Sequence, residues 1–227
     1  MSITPIKNHQ AKARCKNEDM NYIDVTLTYE SGMRGVQFEP ARLLKKDGWN
    51  AKTLHLYSHA GTHMDAPYHF EVNDGTIDNI PEERFFTTCY VVDLKSIQSK
   101  KEIKISDLGE VQNLLKKGEG LIFKTGWSKF VNEPKYRDKL PGISKELAEW
   151  CVEKGVATIG VEPPSVADVN NMELLTEIHR ILLGGDIIIV EGLANLDKIS
   201  KLKVQLVALP LKIKDGDGAP CRAIVIE

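Results

Sequence analysis

The sequence is poor in the features that mark membrane and secreted proteins. None of its apolar runs approaches the roughly 20 residues that a membrane-spanning helix requires. The first twenty residues are polar and lack the apolar segment of a secretory signal. The four cysteines, Cys15, Cys89, Cys151 and Cys221, are scattered without a C-x-x-C pair, which argues against a disulfide framework or a thiolate zinc site. We therefore expect a reduced, cytoplasmic protein that does not contact a membrane.

A strong net charge and several common catalytic motifs are also missing. The 227 residues carry a net charge of −2, which gives no electrostatic case for binding nucleic acid. The chain has no G-x-S-x-G nucleophile motif, no P-loop and no G-x-G-x-x-G dinucleotide motif. The expected partner is therefore a small-molecule substrate, handled by chemistry other than that of a serine hydrolase or a nucleotide-dependent enzyme.

Short β-branched runs mix with helical patterns along the whole chain. Eight runs bounded by polar or Gly/Pro residues predict strands, at residues 23–27, 53–57, 89–94, 120–125, 157–161, 187–190, 204–209 and 223–226. Three segments with helical spacing predict helices, at residues 106–117, 145–154 and 172–183. This mixture predicts a single α/β domain with a mixed β-sheet packed by helices over residues 21–227, after a polar N-terminal arm over residues 1–20.

Histidine is concentrated in one short stretch. Four of the six histidines fall within fifteen residues, where fewer than one is expected: His55, His59, His63 and His69. One helical turn or a tight bend at Gly61 can bring His59 and His63 to a single point. Beyond His63, an extended chain would present every second residue up to His69 on one face. Imidazole nitrogens together with the Asp65 carboxylate are donors that zinc and similar ions bind, so the stretch predicts a metal site. His55 lies in an alternating strand and is assigned to that strand alone.

The same stretch resembles a known family. Residues 59–69, HAGTHMDAPYH, match the H-x-G-T-H-x-D-x-P-x-H signature of the cyclase-like metal hydrolases, which include bacterial kynurenine formamidases and isatin hydrolases. Residues 123–127 are similar to the family's R-T-G-W strand end, with Lys124 in place of Arg, and residues 208–223 are similar to its C-terminal strand pair. The likeness runs from about Asp24 to the C-terminus. It implies a fold of the swivelling β/β/α type and assembly as a homodimer or homotetramer.

The resemblance also implies a role for each site residue. His59, His63 and Asp65 become ligands of a first metal ion, Asp65 can reach a second, and His69 becomes the acid/base catalyst. His179 and Glu191 become the remaining ligands. The residues themselves agree in part: His179 is predicted to point inward from its helix, where a satisfied core histidine is the alternative, and Glu191 ends an apolar strand, where a carboxylate needs a partner. One or two divalent ions are expected, with zinc first and manganese still open because no thiolate contributes.

Amide chemistry is the activity that the resemblance implies. The chain is expected to hydrolyse an amide, formamide or lactam C–N bond of a small substrate, aryl substrates included, through a metal-activated water. Two alternatives remain at this point. One is a cyclase or dehydratase that uses the same metal, and the other is a non-catalytic metal-binding protein.

The pocket residues depart from the kynurenine formamidase pattern. Where those enzymes carry Trp-Pro-Gly, residues 29–36 read YESGMRGV, and Glu162 replaces the Asp of a G-[VI]-D-x-P-S-V segment. Kynurenine specificity is therefore not implied. We predict substrate contacts from Lys124, Trp127, Glu162 and Ser165, although a strand-end Trp is more often part of a core. Arg34 is a further candidate for binding a substrate carboxylate, with solvated surface charge as the favoured interpretation.

Overall fold

A closed barrel of β-strands forms the centre of the computed structural model, which describes residues 20–227. The strands are β1 (Tyr22–Asp24), β2 (Val36–Arg42), β3 (Ala51–Leu56), β4 (His63–Asp65), β5 (Phe86–Asp93), β6 (Glu102–Ile103), β7 (Gly120–Lys124), β8 (Gly142–Ile143), β9 (Thr158–Val161), β10 (Ile188–Glu191), β11 (Lys203–Pro210) and β12 (Gly218–Ile226). The helices are α1 (Leu44–Asp47), α2 (Val111–Leu114), α3 (Lys135–Asp138), α4 (Lys145–Lys154) and α5 (Met172–Gly184).

Seven strands close the barrel. They are hydrogen-bonded in the order β12–β11–β5–β7–β9–β10–β4, and β4 pairs again with β12. Strands β5, β7, β9 and β10 run parallel, whereas the pairs on either side of this block are antiparallel. The predicted α/β class with a mixed sheet is confirmed. Closure of the sheet, which the sequence pattern did not reveal, places the short strand β4 between β10 and β12.

Two apolar clusters occupy the two faces of these strands. Met64, Ile122 and Val190 belong to the cluster inside the barrel. Their strand neighbours, among them Phe123 and Ile189, belong to the outer cluster, which α4 and α5 cover. Because successive side chains of a strand point to opposite faces, the residues that flank Met64 and Val190 face outward toward α5. This alternation positions the candidate site described below.

The predicted elements agree with the structure except for one helix. Each of the eight predicted runs falls on a strand, and the second helix is confirmed over Lys145–Lys154, with the Ser144 side chain accepting from the Leu147 N–H at its start. The single helix predicted over residues 106–117 is wrong. Gly109, at φ 54°, separates a 3-10 turn at Ile105–Leu108 from α2, and the chain is extended again at Leu115. The apolar spacing is real, but a left-handed glycine interrupts it.

The β2–β3 hairpin stands apart from the barrel. Most of its residues are exposed on both faces, and exposed apolar side chains lie on and between its strands: Leu43, Leu44, Trp49 and Leu54. A two-stranded hairpin is marginally stable by itself in water. The hairpin therefore presents an exposed apolar surface.

The proposed N-terminal arm falls almost wholly outside the described residues, so its boundary at residue 20 stays a prediction. Within residues 20–227, no helix has the length and apolarity needed to cross a membrane.

Candidate metal centre

A sharp bend at Gly61 carries the chain into β4. Gly61 has φ +57°, and a Cβ built there would lie 2.9 Å from Tyr29 Cζ. Gly192, at φ +68°, packs so tightly that a Cβ on it would lie 2.3 Å from the Gly61 carbonyl oxygen. Both positions therefore require glycine. The Thr62 hydroxyl fixes the bend, because it donates to the Gly192 carbonyl at 2.5 Å and accepts from the Leu27 N–H at 2.8 Å. Of the two conformations considered for bringing His59 to His63, the tight bend is the one formed.

Strand pairing then brings His63 and Glu191 together. The two residues lie directly opposite each other on β4 and β10, so their side chains share one face, and His63 Nε2 lies 3.1 Å from Glu191 Oε2. Helix α5 crosses this face and adds His179. Its Nε2 lies 3.5 Å from Glu191 Oε1 and 3.6 Å from Asp65 Oδ2. All four side chains are buried.

Backbone carbonyls fix the orientation of both imidazoles. His63 Nδ1 lies 2.9 Å from the Gly61 carbonyl oxygen, and His179 Nδ1 lies 2.7 Å from that of Leu175. A carbonyl only accepts, so Nδ1 carries the proton in each ring, and in the neutral ring Nε2 presents a lone pair. Both lone pairs then face carboxylate oxygens, which are also acceptors. Within residues 20–227, neither His63 Nε2 nor Asp65 Oδ2 has a hydrogen-bond partner, although both are buried. Such a convergence of buried acceptors is costly, and a cation at their centre would relieve it.

The donor set fits a divalent metal ion. His59, His63 and Asp65 can each offer one atom to a common point, and so can Asp65, His179 and Glu191, with the atoms of each group within 4.8 Å of one another. Asp65 belongs to both groups. Nitrogen and carboxylate oxygen donors are those of zinc and related divalent ions. The structure thus brings together all five residues that were predicted as ligands.

Electrostatics keep the two buried carboxyl groups ionised. Burial would raise the pKa of Asp65, but a hydrogen bond from His59 and the nearby imidazoles hold that pKa well below its usual range. Burial and the charge of Asp65 raise the pKa of Glu191, but His179 and His63 outweigh them and lower it. Both side chains are therefore anionic at neutral pH, which is the form that binds metal.

Asp217 is a site residue that the sequence reasoning missed. His59 lies between two carboxylates, with Nδ1 2.9 Å from Asp65 Oδ1 and Nε2 2.9 Å from Asp217 Oδ2. Burial opposes a charge on this ring, but the two hydrogen bonds raise the pKa of His59 to about 9. Gly218 makes room for the ring, since a Cβ there would lie 2.8 Å from His59 Cε1. Asp217 lies in the C-terminal stretch that resembles the family, which was the one available signal.

His69 reaches the site differently from the prediction. The extended conformation ends after Asp65, and residues Pro67–Phe70 form a 3-10 helix, so the proposed period-two face from His63 to His69 is wrong. Pro67, at the first turn, favours this change. The His69 ring nevertheless stacks on the His59 ring, with centroids 3.8 Å apart. Burial, helped by the nearby imidazoles, lowers the pKa of His69 below its ordinary value.

A cavity of about 450 Å³ opens onto this cluster. His59, His69, His179 and Glu191 line its metal end, and aromatic, apolar and arginine side chains line the rest. The volume suits a small molecule of one or two rings. Of the four residues predicted to contact substrate, Ser165 lines this cavity.

Lys124 is not among the residues that line the cavity, so the structure gives no support to its predicted substrate contact. It lies on the same face of β7 as Ile122, which points into the barrel and away from the cavity. Its Nζ donates to the Ile199 carbonyl oxygen at 2.9 Å. The physical reason is strand alternation, which places Lys124 on the side of the sheet opposite to the metal cluster.

Glu162 and Trp127 do not line the cavity either, and their polar groups are hydrogen-bonded within the fold. The Glu162 carboxylate accepts hydrogen bonds from Thr125 Oγ1 at 2.9 Å, from Ser128 Oγ at 2.8 Å and from the backbone N–H groups of Gly126 and Trp127. Trp127 is buried, and its Nε1 donates to the Tyr136 carbonyl oxygen at 2.8 Å. Both oxygens of the Glu162 carboxylate therefore accept hydrogen bonds from the turn at residues 125–128.

His55 and Arg34, the two remaining candidates, lie in different surroundings. His55 lies on β3 and is exposed, with its Nε2 3.6 Å from Glu39, in agreement with its assignment to the strand. Arg34 is exposed, in agreement with the favoured interpretation of a solvated surface charge, and it also lines the cavity.

Comparison with known proteins agrees with this geometry. The family model described as "Putative cyclase" matches residues 23–168. The chain is 33% identical to the kynurenine formamidase of Erythrobacter litoralis over 178 residues, which cover 78% of this chain and 77% of that protein. It is 32% identical to the kynurenine formamidase of a Bacillus cereus strain over 178 residues, covering 78% and 79% of the two chains.

Solved structures share the fold. Isatin hydrolase A from Labrenzia aggregata, bound to benzyl benzoate, superposes with a TM-score of 0.83 at 23% identity, covering 91% of this chain and 93% of that one. An isatin hydrolase bound to the product analogue thioisatinate gives a TM-score of 0.81 at 22% identity, with 92% of each chain covered.

Proposed function

The chain belongs to the putative cyclase family, and from that premise we propose that it is a metal-dependent hydrolase of amide, formamide or lactam C–N bonds in small aryl substrates. The observation that supports this most is the convergence of two buried carboxylates with two imidazole lone pairs at the floor of a cavity. The kynurenine formamidase relatives act on a formamide, as their name states, which supports the same bond type here.

Asp65, His179 and Glu191 would hold one ion, and His59, His63 and Asp65 form a second donor group that shares Asp65. A divalent ion held there supplies an acidified water and a Lewis acid for the substrate carbonyl. Two groups that share Asp65 support a site for two ions. We propose zinc as the native metal because mixed imidazole and carboxylate donors suit it, with manganese as the second candidate.

His69 would move the proton. Its ring lines the cavity beside His59, and its Nδ1 lies 3.8 Å from Asp217 Oδ2. During hydrolysis a C–O bond forms between water and the carbonyl carbon as the C–N bond breaks. His69 accepts the proton that water loses and donates it to the leaving nitrogen, so that an acid and an amine result.

Reconstitution with metal tests the proposal. Protein stripped with a chelator and refilled with zinc or manganese is assayed with formanilide as an open amide and isatin as a cyclic one. We expect activity only in the refilled protein, with metal content measured alongside. Metal binding without turnover of a broad amide and lactam panel would favour the non-catalytic alternative. Loss of water or ring closure in a β-keto substrate, without amide cleavage, would favour the cyclase or dehydratase.

We also propose that the chain assembles as a homodimer, or as a tetramer built from dimers, through the β2–β3 hairpin. The exposed Trp49 and Leu54 on this hairpin support the proposal, because unaccompanied hairpins need a covering surface. Light scattering after gel filtration should give twice or four times the mass of one chain, and Trp49→Glu should lower it. A reducing compartment such as the cytoplasm is proposed as well, because the three cysteines among residues 20–227 are free and buried.

A further inference from the structure

The Tyr29 side chain covers the bend that carries the chain into β4. Its ring packs on Gly61, where a Cβ would lie 2.9 Å from Tyr29 Cζ. Its hydroxyl oxygen lies 2.8 Å from the Ala60 carbonyl oxygen and 2.5 Å from that of Thr62. Tyr29 therefore contacts the backbone immediately before and immediately after the left-handed residue of the bend.

The Ala60 carbonyl depends on this hydroxyl. Burial raises the pKa of Tyr29 above its ordinary value, so the phenol keeps its hydrogen at neutral pH and can donate it. The Thr62 carbonyl has a second donor, because the Cys221 N–H donates to it at 2.9 Å. Ala60 is buried, and no other hydrogen bond from residues 20–227 reaches its carbonyl. Loss of the hydroxyl would leave a buried acceptor unpaired unless the peptide turned toward another donor.

The carbonyl of Gly61 serves a proposed metal ligand. It accepts from His63 Nδ1 at 2.9 Å, which leaves the lone pair of the neutral ring on Nε2. Nε2 is the atom that faces the buried carboxylates, at 3.1 Å from Glu191 Oε2 and 3.6 Å from Asp65 Oδ1. The direction of the Gly61 carbonyl therefore sets how His63 meets a metal ion.

Three consecutive carbonyls are thus divided between two side chains. Those of Ala60 and Thr62 meet the Tyr29 hydroxyl, and that of Gly61 meets the His63 ring. The Ala60 carbonyl belongs to the peptide plane that precedes Gly61, so its rotation changes φ at Gly61 and with it the direction of the Gly61 carbonyl. The hydroxyl that fixes the first carbonyl therefore also fixes the hydrogen-bond partner of the imidazole.

We infer that Tyr29 is a positioning residue, which holds His63 in the orientation that presents Nε2 to the metal ion. The inference rests on the proposed metal site. Groups that orient a metal-binding histidine raise metal affinity, and their loss costs about 10- to 100-fold. Tyr29 acts on His63 through the backbone rather than directly, so the expected loss is near the lower end of that range. Tyr29 begins the segment in which the chain departs from the kynurenine formamidase pattern, and no motif indicated this role.

Tyr29→Phe tests the role of the hydroxyl, because it keeps the ring that packs on Gly61. Competition with a chromophoric chelator measures zinc affinity, and we expect the variant to bind zinc about tenfold more weakly than the parent. Tyr90→Phe is the matched control, since Tyr90 is buried and its hydroxyl donates to the Leu114 carbonyl at 3.3 Å. It removes the same type of hydrogen bond and should leave zinc affinity unchanged. Thermal melting reports the stability of each variant separately.

The imidazole N–H proton of His63 gives a measurement that a general loss of stability does not change. In the zinc-loaded protein this proton is observed by NMR and is identified by its nuclear Overhauser contacts to Gly61. Its hydrogen bond to the Gly61 carbonyl slows its exchange with water. We expect slow exchange in the parent and in Tyr90→Phe, and about tenfold faster exchange in Tyr29→Phe.

The outcomes separate this inference from the proposed function. Zinc affinity of Tyr29→Phe equal to that of the parent, or an equal loss in Tyr90→Phe, overturns the positioning role and leaves amide hydrolysis standing. A His63 proton that exchanges at the parent rate in Tyr29→Phe does the same. If the zinc-loaded parent turns over no amide or lactam, the proposed function fails, and zinc affinity and proton exchange still decide the role of Tyr29. A parent protein that binds no zinc overturns both.

Discussion

Replacement of Asp217 by asparagine should weaken metal binding although Asp217 is not itself among the proposed ligands. Its Oδ2 lies 2.9 Å from His59 Nε2, while the other ring nitrogen faces Asp65. A carboxylate behind a metal-binding imidazole fixes the ring and increases its basicity. Asparagine keeps the shape of the side chain but removes the charge that performs both tasks.

The magnitude follows from the type of contact. Loss of such an outer carboxylate costs about 10- to 100-fold in metal affinity, or about 1.4 to 2.7 kcal/mol. The Asp217 side chain is 41% exposed, and solvent screening therefore places the expected loss near the lower end of that range. The Ser58 hydroxyl, which donates to the same Oδ2 at 3.3 Å, remains available to hold the asparagine oxygen.

A competition titration against a chromophoric zinc chelator measures the effect. Asp215→Asn is the matched control, because Asp215 is exposed, lies two residues away and has a φ of 54° that asparagine tolerates. We expect the control to bind zinc like the parent protein and Asp217→Asn to bind it about tenfold more weakly. Equal affinity in all three proteins would refute the idea that Asp217 supports His59.

Three further predictions concern the same structure. His69→Ala should retain its metal, measured by elemental analysis, and lose about 10²- to 10⁴-fold in kcat, and retention of most activity would remove its proposed proton role. Gly218→Ala should push the His59 ring aside, because the new Cβ would lie 2.8 Å from Cε1, and a zinc affinity equal to that of the parent would contradict this steric reading. Burial raises the pKa of Cys151 to about 12, so the thiol stays protonated at pH 8. Iodoacetamide should therefore not label Cys151 in the folded protein, and rapid labelling would show that α4 opens.

The structure brings the predicted ligands together, and each of them was indicated by a pattern in the sequence. The spacing from His59 to Asp65 is dictated by one bend and one short strand, and both are encoded within seven residues. His179 and Glu191 were accessible by resemblance and by position, on an amphipathic helix and at the end of a buried strand. The barrel strands that were predicted were equally readable, since they bury β-branched runs, whereas β2, β4, β6 and β8 were not predicted.

The sequence pattern could not predict the role of residues whose partners lie far away along the chain. Lys124 and Glu162 were expected near substrate because they lie in segments that resemble the family, but each is hydrogen-bonded to groups that the fold brings beside it. Asp217 approaches His59 only because β12 pairs with β4. The prediction of a helix over residues 106–117 was wrong for a local reason. The sequence does not reveal that Gly109 adopts a positive φ and interrupts the helix.

Anomalous X-ray scattering tests the central claim most directly. Crystals grown with zinc are measured on both sides of its absorption edge, and a second set grown with manganese provides the comparison. A strong anomalous peak is predicted among His63 Nε2, His179 Nε2 and the carboxylates of Asp65 and Glu191. Crystals that contain zinc elsewhere but show no peak among these four side chains would contradict the account.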